Sequence, residues 1–294
     1  MTEAAPALVR RREVGYLRPV LETRARRRAL AVWAVGALVA VRAAAAPAAE
    51  LPDGDEVARR VNERPDGAAV SRTLVMELVD RTGATRTRTT RSFRRDFGDE
   101  RRSVLFFDAP ANLKGTALLT WDHADPARED VQWLYLPALR KSRRVAMSER
   151  GRSFLGTDLT FEDMKNETRL SRDTYRWRTL GEEEVDGRRT FAVEGVPVDE
   201  RTARDIGYGR VLLRIDAERW LPLLGEYWDP RGEPLKTVRL GDVREVQGVW
   251  TPHWIEAESR RNGHRTRLAF REVVYDPALP EDLFTERALA RGPP

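Results

Sequence analysis

Glycine-centred turn signals recur about every ten residues from Gly67 to Gly263, and they constrain this chain more than any other feature. Thr82-Gly83, Asp186-Gly187, Asp229-Pro-Arg-Gly232, Gln247-Gly248 and Asn262-Gly263 punctuate segments rich in Val, Leu, Phe, Trp and Tyr. Asn-Gly and Asp-Gly supply the positive φ values that two-residue hairpin loops demand, so the segments they join are antiparallel neighbours. The turns join 70–80 with 84–96, 175–185 with 188–196, 221–228 with 233–243, and 249–260 with 264–275. Further strands are expected at 102–108, 116–122, 130–136, 141–147 and 207–215, roughly eleven or twelve in all. No long helical pattern separates them, which argues against a parallel βαβ sheet.

A few short helices complete a mainly β chain. Asp53 or Asp55 can cap one that runs to about Arg64, with Val57 and Val61 on one face. Thr160 to Asn166 can form a turn or two. Pro280 can open another, with Leu283 and Phe284 turned to the sheet, and Ala290 to Pro294 should fray. Val131, Trp133 and Tyr135 alternate with Gln132, Val238 and Leu240 with Arg239, and Leu268, Phe270 and Val274 with Arg267 and Arg271, so each strand has a dry and a wet face. The polar run 84–95 suits a sheet margin or a strand with a solvated outer face.

Charge sits mostly at the start of the chain. Of the net +5, residues 1–45 carry +6 and the remainder −1, which argues against a nucleic-acid partner. Arg24-Ala-Arg-Arg-Arg28 precedes the apolar run Ala29 to Val41 and a small-residue stretch, Ala43 to Ala49, the pattern of a secretory signal. The run is short of the ~20 residues that span a bilayer, so cleavage after Ala45 or Ala48 is expected, with a permanent anchor as the alternative. Residues 46–294 then form a single exported, periplasmic domain.

The absence of Cys removes disulfides, thiolate catalysis, Cys-ligated metals and lipid attachment at the cleavage site. His123, His253 and His264 show no metal-ligand spacing, so neither a metal nor another cofactor is expected. Glu162-Asp163, Glu182 to Glu184 and Asp199-Glu200 are adjacent carboxylates that face opposite ways on a strand, and solvated charge is the expected role. No G-x-S-x-G elbow or dinucleotide fingerprint is present.

The distinctive stretch is 115–164. It contains Gly115-Thr-Ala-Leu-Leu119, then Trp133-Leu-Tyr-Leu-Pro-Ala-Leu-Arg140 with Arg143-Arg144, and Ser153-Phe-Leu-Gly-Thr-Asp-Leu-Thr-Phe-Glu-Asp163. Aromatic and aliphatic groups beside Gly151 and Gly156 suit a loop that approaches or leaves an apolar surface, in effect a lid. In these motifs, and more loosely from about 50 to 290, the chain resembles the outer-membrane lipoprotein-sorting proteins, relatives of the LolA/LolB-type periplasmic carriers. The resemblance implies a half-open antiparallel β-barrel with helices covering the mouth and an acyl chain in an apolar cavity. It implies as partners a lipoprotein's acyl chain or a free lipid, and an inner-membrane RND-type exporter or lipoprotein-release complex. A lid arginine belongs to the better-known members; Arg140, Arg143 and Arg144 are the basic positions inside the matching motif, and none is singled out.

About eight strands make a barrel that side chains fill, so a curled sheet of about eleven needs a plug, a ligand or a second layer. An acyl chain laid there gains roughly 0.8 kcal/mol per buried methylene, enough for about a dozen carbons to be held tightly yet reversibly. Trp121, Trp133, Tyr135, Phe154, Leu155, Phe161 and Met164 are the expected cavity or lid residues. The expected function is a non-enzymatic carrier of lipid toward the outer membrane. An adaptor subunit of an inner-membrane exporter is the alternative, and a hydrolase on a β scaffold is a third.

Overall fold

In a computed structural model of the protein, which describes residues 51–125 and 127–293, the turn signals resolve into hairpins. The expected leader lies outside the described residues. Helix α1 (Gly54–Glu63) leads into β1 (Ala69–Val79), β2 (Thr85–Phe97), β3 (Glu100–Ala109), β4 (Ala117–His123), β5 (Val131–Leu136) and β6 (Lys141–Arg144). A crossing segment, 145–174, carries helix α2 (Phe161–Asn166). Then follow β7 (Tyr175–Val185), β8 (Arg188–Pro197), helix α3 (Glu200–Ile206), β9 (Arg210–Asp216), β10 (Pro222–Trp228) and β11 (Pro234–Gly241). A small hairpin of β12 (Arg244–Val246) and β13 (Val249–Thr251) precedes β14 (Trp254–Ser259) and β15 (Arg265–Tyr275). A 3-10 turn (Glu281–Phe284) and helix α4 (Glu286–Arg291) finish the chain.

Thirteen strands form one antiparallel sheet in the order β6-β5-β4-β3-β2-β1-β15-β14-β11-β10-β9-β8-β7. The chain starts in the middle at β1 and steps outward to one edge. The crossing segment carries it to the far edge, and it steps back until β15 pairs with β1. Strands β6 and β7 do not pair with each other, so the sheet is open. The expected half-open barrel of about eleven strands is therefore corrected to an unclosed sheet of thirteen, with the lid segment passing from edge to edge.

Local departures have local causes. Pro252 lacks the ladder N–H and splits the expected strand 249–260 into β13 and β14. Strand β12 and helix α3 were not anticipated, although α3 carries its own signals: Asp199 accepts a hydrogen bond from the Thr202 N–H (2.7 Å), and Gly207 stops the helix at φ 79°. Helix α4 orders Ala290 and Arg291, which were expected to fray, because Ala288 and Leu289 beneath them are buried. Strand β2 is interior, not marginal, and cross-strand pairs such as Arg91 with Asp108 (3.0 Å) explain how so polar a strand sits there.

Alternation sorts the side chains into three clusters. On the inner face, Leu74, Met76, Leu105, Phe107, Leu118, Ile255, Leu268 and Phe270 pack with Phe154, Leu159 and Phe161 of the crossing segment. Toward the β7 edge, Val57 and Val61 of α1 lie on Trp177, Phe191, Val193 and Leu213. This approach is close: a Cβ on Gly54 would stand 2.3 Å from the Trp177 backbone. On the outer face of β2–β5, Phe93, Val104, Phe106 and Leu119 are covered by Leu283, Phe284 and Leu289, as expected for the first two of these three. Two alternation readings change. Glu272 has φ 52°, the β1–β15 register shifts beside it, and Val274 turns outward and is exposed. Gln132 is buried, not solvated, because the crossing segment lies over it.

Candidate functional site

The crossing segment is a folded roof. Within it the Phe154 N–H donates to the Leu159 carbonyl (2.7 Å), and Ser153 and Thr160 form a β-bridge. Leu155 (φ 49°) and Gly156 (φ 81°) supply the left-handed turn between them. Thr160 then caps α2: its hydroxyl accepts from the Asp163 N–H (3.1 Å), while the Asp163 carboxylate accepts from the Thr160 N–H (2.6 Å). Phe154 is fully buried, 6.1 Å from the Phe107 ring and 5.4 Å, edge-on, from Phe161.

Several polar attachments pin the roof to the sheet and its loops. Lys236 of β11, 6% exposed, donates to the Asp163 carboxylate and to the Asp158 carbonyl (3.0 Å), and the Tyr208 hydroxyl donates to Asp163 (2.8 Å). Asp158 accepts from the Thr266 hydroxyl (2.7 Å) of β15. Gln132 of β5 donates to the Phe161 carbonyl (3.1 Å). At the end of α2, Arg72 of β1 pairs with Glu167 (2.5 Å) and stacks over Phe270. Lys165, buried, lies between Glu162 (3.0 Å) and Asp130 (2.7 Å). The Glu162-Asp163 pair, expected to be solvated charge, is thus part of this inner network, whereas Glu182 to Glu184 and Asp199-Glu200 are exposed.

Beneath the roof is a hollow of about 140 Å³. Its floor shows a gradient along the strands. Cross-strand register lays Leu74, Thr90 and Phe107 in one row, then Arg72, Ser92, Leu105 and Leu118, then Val70, Arg94, Ser103 and Thr120, and last Asp96, Arg101 and Asp122. The far wall is Val238, Ile255, Leu268 and Phe270, and Leu159 and Met164 close it from above. One end is hydrocarbon and the other is a charged mouth.

Of the seven residues expected at a cavity or lid, Met164 lines the hollow, and Phe154, Leu155 and Phe161 belong to the roof. Trp121, Trp133 and Tyr135 do not line it; they lie on the outer face under the C-terminal segment. There Trp121 donates to the Phe284 carbonyl (3.0 Å) and meets Trp133 edge-on at 4.9 Å. The inner-face residues of β1 and β3, Lys236 and Tyr208 were missed; alternation over 70–80 and 102–108 was the available signal. Arg140, Arg143 and Arg144 are exposed at the β6 edge, where Arg143 pairs with Glu149 and Arg144 with Glu129.

Buried ion pairs, in the roof network and elsewhere, make stability pH-dependent. Burial opposes ionisation of Asp66, Asp130, Glu167 and Asp216, and in each case a basic partner outweighs it: Arg101, Lys165, Arg72 and Arg188 respectively. All four carboxyls are held below their ordinary range, so they contribute stability that is complete above about pH 5 and is lost as pH falls through the depressed values. Asp122 is opposite in sign: burial raises its pKa, so acidification relieves its cost. The expected result is a urea midpoint that falls between pH 5 and 2. A flat or rising midpoint would contradict it.

An open antiparallel sheet roofed by a crossing segment over an apolar hollow defines a LolA-like class of protein. Residues 99–291, well over half of the chain, match a family described as uncharacterized protein. A solved outer membrane lipoprotein-sorting protein domain from Vibrio parahaemolyticus is 27% identical, with a TM-score of 0.73 over 81% of this chain and 98% of its own. A DUF1329 family protein from Desulfovibrio piger is 26% identical, with a TM-score of 0.72 over 79% of this chain and 96% of its own. A LolA superfamily protein from Nitrosomonas europaea shares the fold at 20% identity, with a TM-score of 0.62 over 81% of this chain and 100% of its own. No curated protein matches the sequence. The chain belongs to the matched family, is similar in sequence and fold to the lipoprotein-sorting and DUF1329 proteins, and shares the open LolA-like fold.

Proposed function

We propose that this protein is a periplasmic carrier that holds the hydrocarbon chain of a lipid or lipoprotein between its sheet and its roof. The carrying observation is the apolar end of the hollow, floored by Leu74, Leu105 and Leu118, walled by Val238, Ile255, Leu268 and Phe270, and roofed by Leu159 and Met164. A wholly apolar cavity of about 150 Å³ accommodates benzene, so the hollow of about 140 Å³, apolar at one end, takes at most about half a dozen carbons as it stands. At about 0.8 kcal/mol per methylene that is near 5 kcal/mol, a weak hold. A chain of about twelve carbons doubles the gain but must displace the roof. Loading therefore couples to movement of 153–167, and delivery follows relative affinity rather than a chemical step. Phe154, Leu155, Phe161 and Met164 act as the moving residues, and export by residues 1–45 places the carrier between the membranes.

The test is to purify the protein from its native envelope under mild conditions, extract it with organic solvent and weigh the extract by mass spectrometry. One lipid per chain is expected. A lipid-free protein that co-purifies with an inner-membrane complex would favour an adaptor subunit instead.

A further inference from the structure

The mouth of the hollow is as specific as its apolar end. Arg72 and Arg94 stand in successive cross-strand rows, about 6.6 Å apart along the strands, and Arg169 faces them from the roof. Arg72 gives both terminal nitrogens to Glu167, but its Nε is buried and has no hydrogen-bond partner. Arg94 donates to the backbone carbonyls of Asp66 and Gly67, and it shares the carboxylates of Asp66 and Asp96 with Arg101. Arg169 makes no side-chain hydrogen bond or ion pair within the described residues. Burial disfavours the charge on Arg94 and on Arg169 and Arg101 beside them adds repulsion; the carboxylates of Asp66 and Asp96, with Asp122 for Arg169, offset only part of this, and both guanidinium groups stay below their ordinary pKa. A buried, under-neutralised guanidinium facing a cavity is stabilised when an anion enters.

We propose that the mouth binds the anionic headgroup, a phosphate or carboxylate, of an amphiphile whose chain lies in the hollow, with Arg169 as the donor and Arg72 adding positive charge beside it. This rests on the carrier reading and narrows it to anionic amphiphiles. Arg169 presents a free guanidinium fork, which suits bidentate contact with such a group. Arg94 contributes charge at slightly longer range.

Calorimetric titration of the purified protein with dodecyl phosphate, monolauroylglycerol and inorganic phosphate tests this, because the first two share a chain length and differ in headgroup charge. Dodecyl phosphate should bind at least tenfold more tightly than monolauroylglycerol, or about 1.4 kcal/mol, and its advantage should shrink at high salt. Arg169→Gln should erase about tenfold of the dodecyl phosphate affinity and have a much smaller effect on that for monolauroylglycerol; Arg169→Lys should retain part of it. Equal affinities for the two amphiphiles, unmoved by Arg169→Gln, would overturn the headgroup site while leaving the carrier intact. Inorganic phosphate binding as tightly as dodecyl phosphate would also overturn it, as a site for free anions. Failure of both amphiphiles to bind would remove the carrier reading and this inference together.

Discussion

Phe154→Ala should lower the unfolding free energy by about 3–5 kcal/mol and unseat the roof. The ring has no exposed surface, and the loop 153–160 folds around it, so no neighbour can collapse into the space without breaking the Phe154–Leu159 hydrogen bond and the Ser153–Thr160 bridge. Phe107 below and Phe161 beside it lose their aromatic partner as well. The void opens onto the Leu159 side of the hollow, so bound dodecanoate should exchange faster even where the protein remains folded. Urea unfolding followed by tryptophan fluorescence gives the first quantity, and stopped-flow displacement of a fluorescent fatty acid gives the second. Phe154→Leu, which keeps most of the volume, should restore more than half of the stability. A loss under about 1 kcal/mol would mean that the crossing segment is not part of the cooperative core.

Much of this architecture could be read in advance, because hairpin chemistry is local. Asp186-Gly187 and Asn262-Gly263 determine their own turns, and the strands they join follow at nearly the expected residues. Sheet order is not local. Nothing near Val70 or Tyr275 announces that they will be partners, so an unclosed sheet of thirteen and a half-open barrel of about eleven look alike from the turns alone. Face assignment fails for the same reason. Alternation shows that Trp121 and Leu119 share a face, but the C-terminal turn that covers them arrives from residues 283–289. The same ambiguity hid the site. Lys236 lies between Leu235 and Thr237 in a strand with no motif, and its partner Asp163 reads as ordinary helix-start acid until the roof is laid over β11. Buried polar pairs of this kind join segments distant in sequence, and turn spacing carries no trace of them.

That pair makes the other large prediction. Lys236→Met should cost about 3–5 kcal/mol, since it leaves the Asp163 carboxylate beneath the roof without its cation. Methionine is apolar and of similar length, so packing is nearly conserved and the effect isolates the lost charge. Tyr208 and the Thr160 N–H still donate to Asp163, but two neutral donors do not replace an ammonium group 6% exposed and also bonded to the Asp158 carbonyl. Asp163→Asn in the Lys236→Met background should recover most of the loss, because the amide oxygen still caps α2 while the uncompensated charge is gone. Coupling of at least 2 kcal/mol in this double-mutant cycle is the order expected for a buried pair. Coupling near the 0–1 kcal/mol of surface pairs would show that the roof is held by Phe154 and its neighbours alone. The stability of the Lys236→Met chain should also bear on transport: with its strongest polar pin removed, the roof should open at lower ligand concentration, so dodecanoate should load and leave faster while the apolar floor keeps the same preference for chain length.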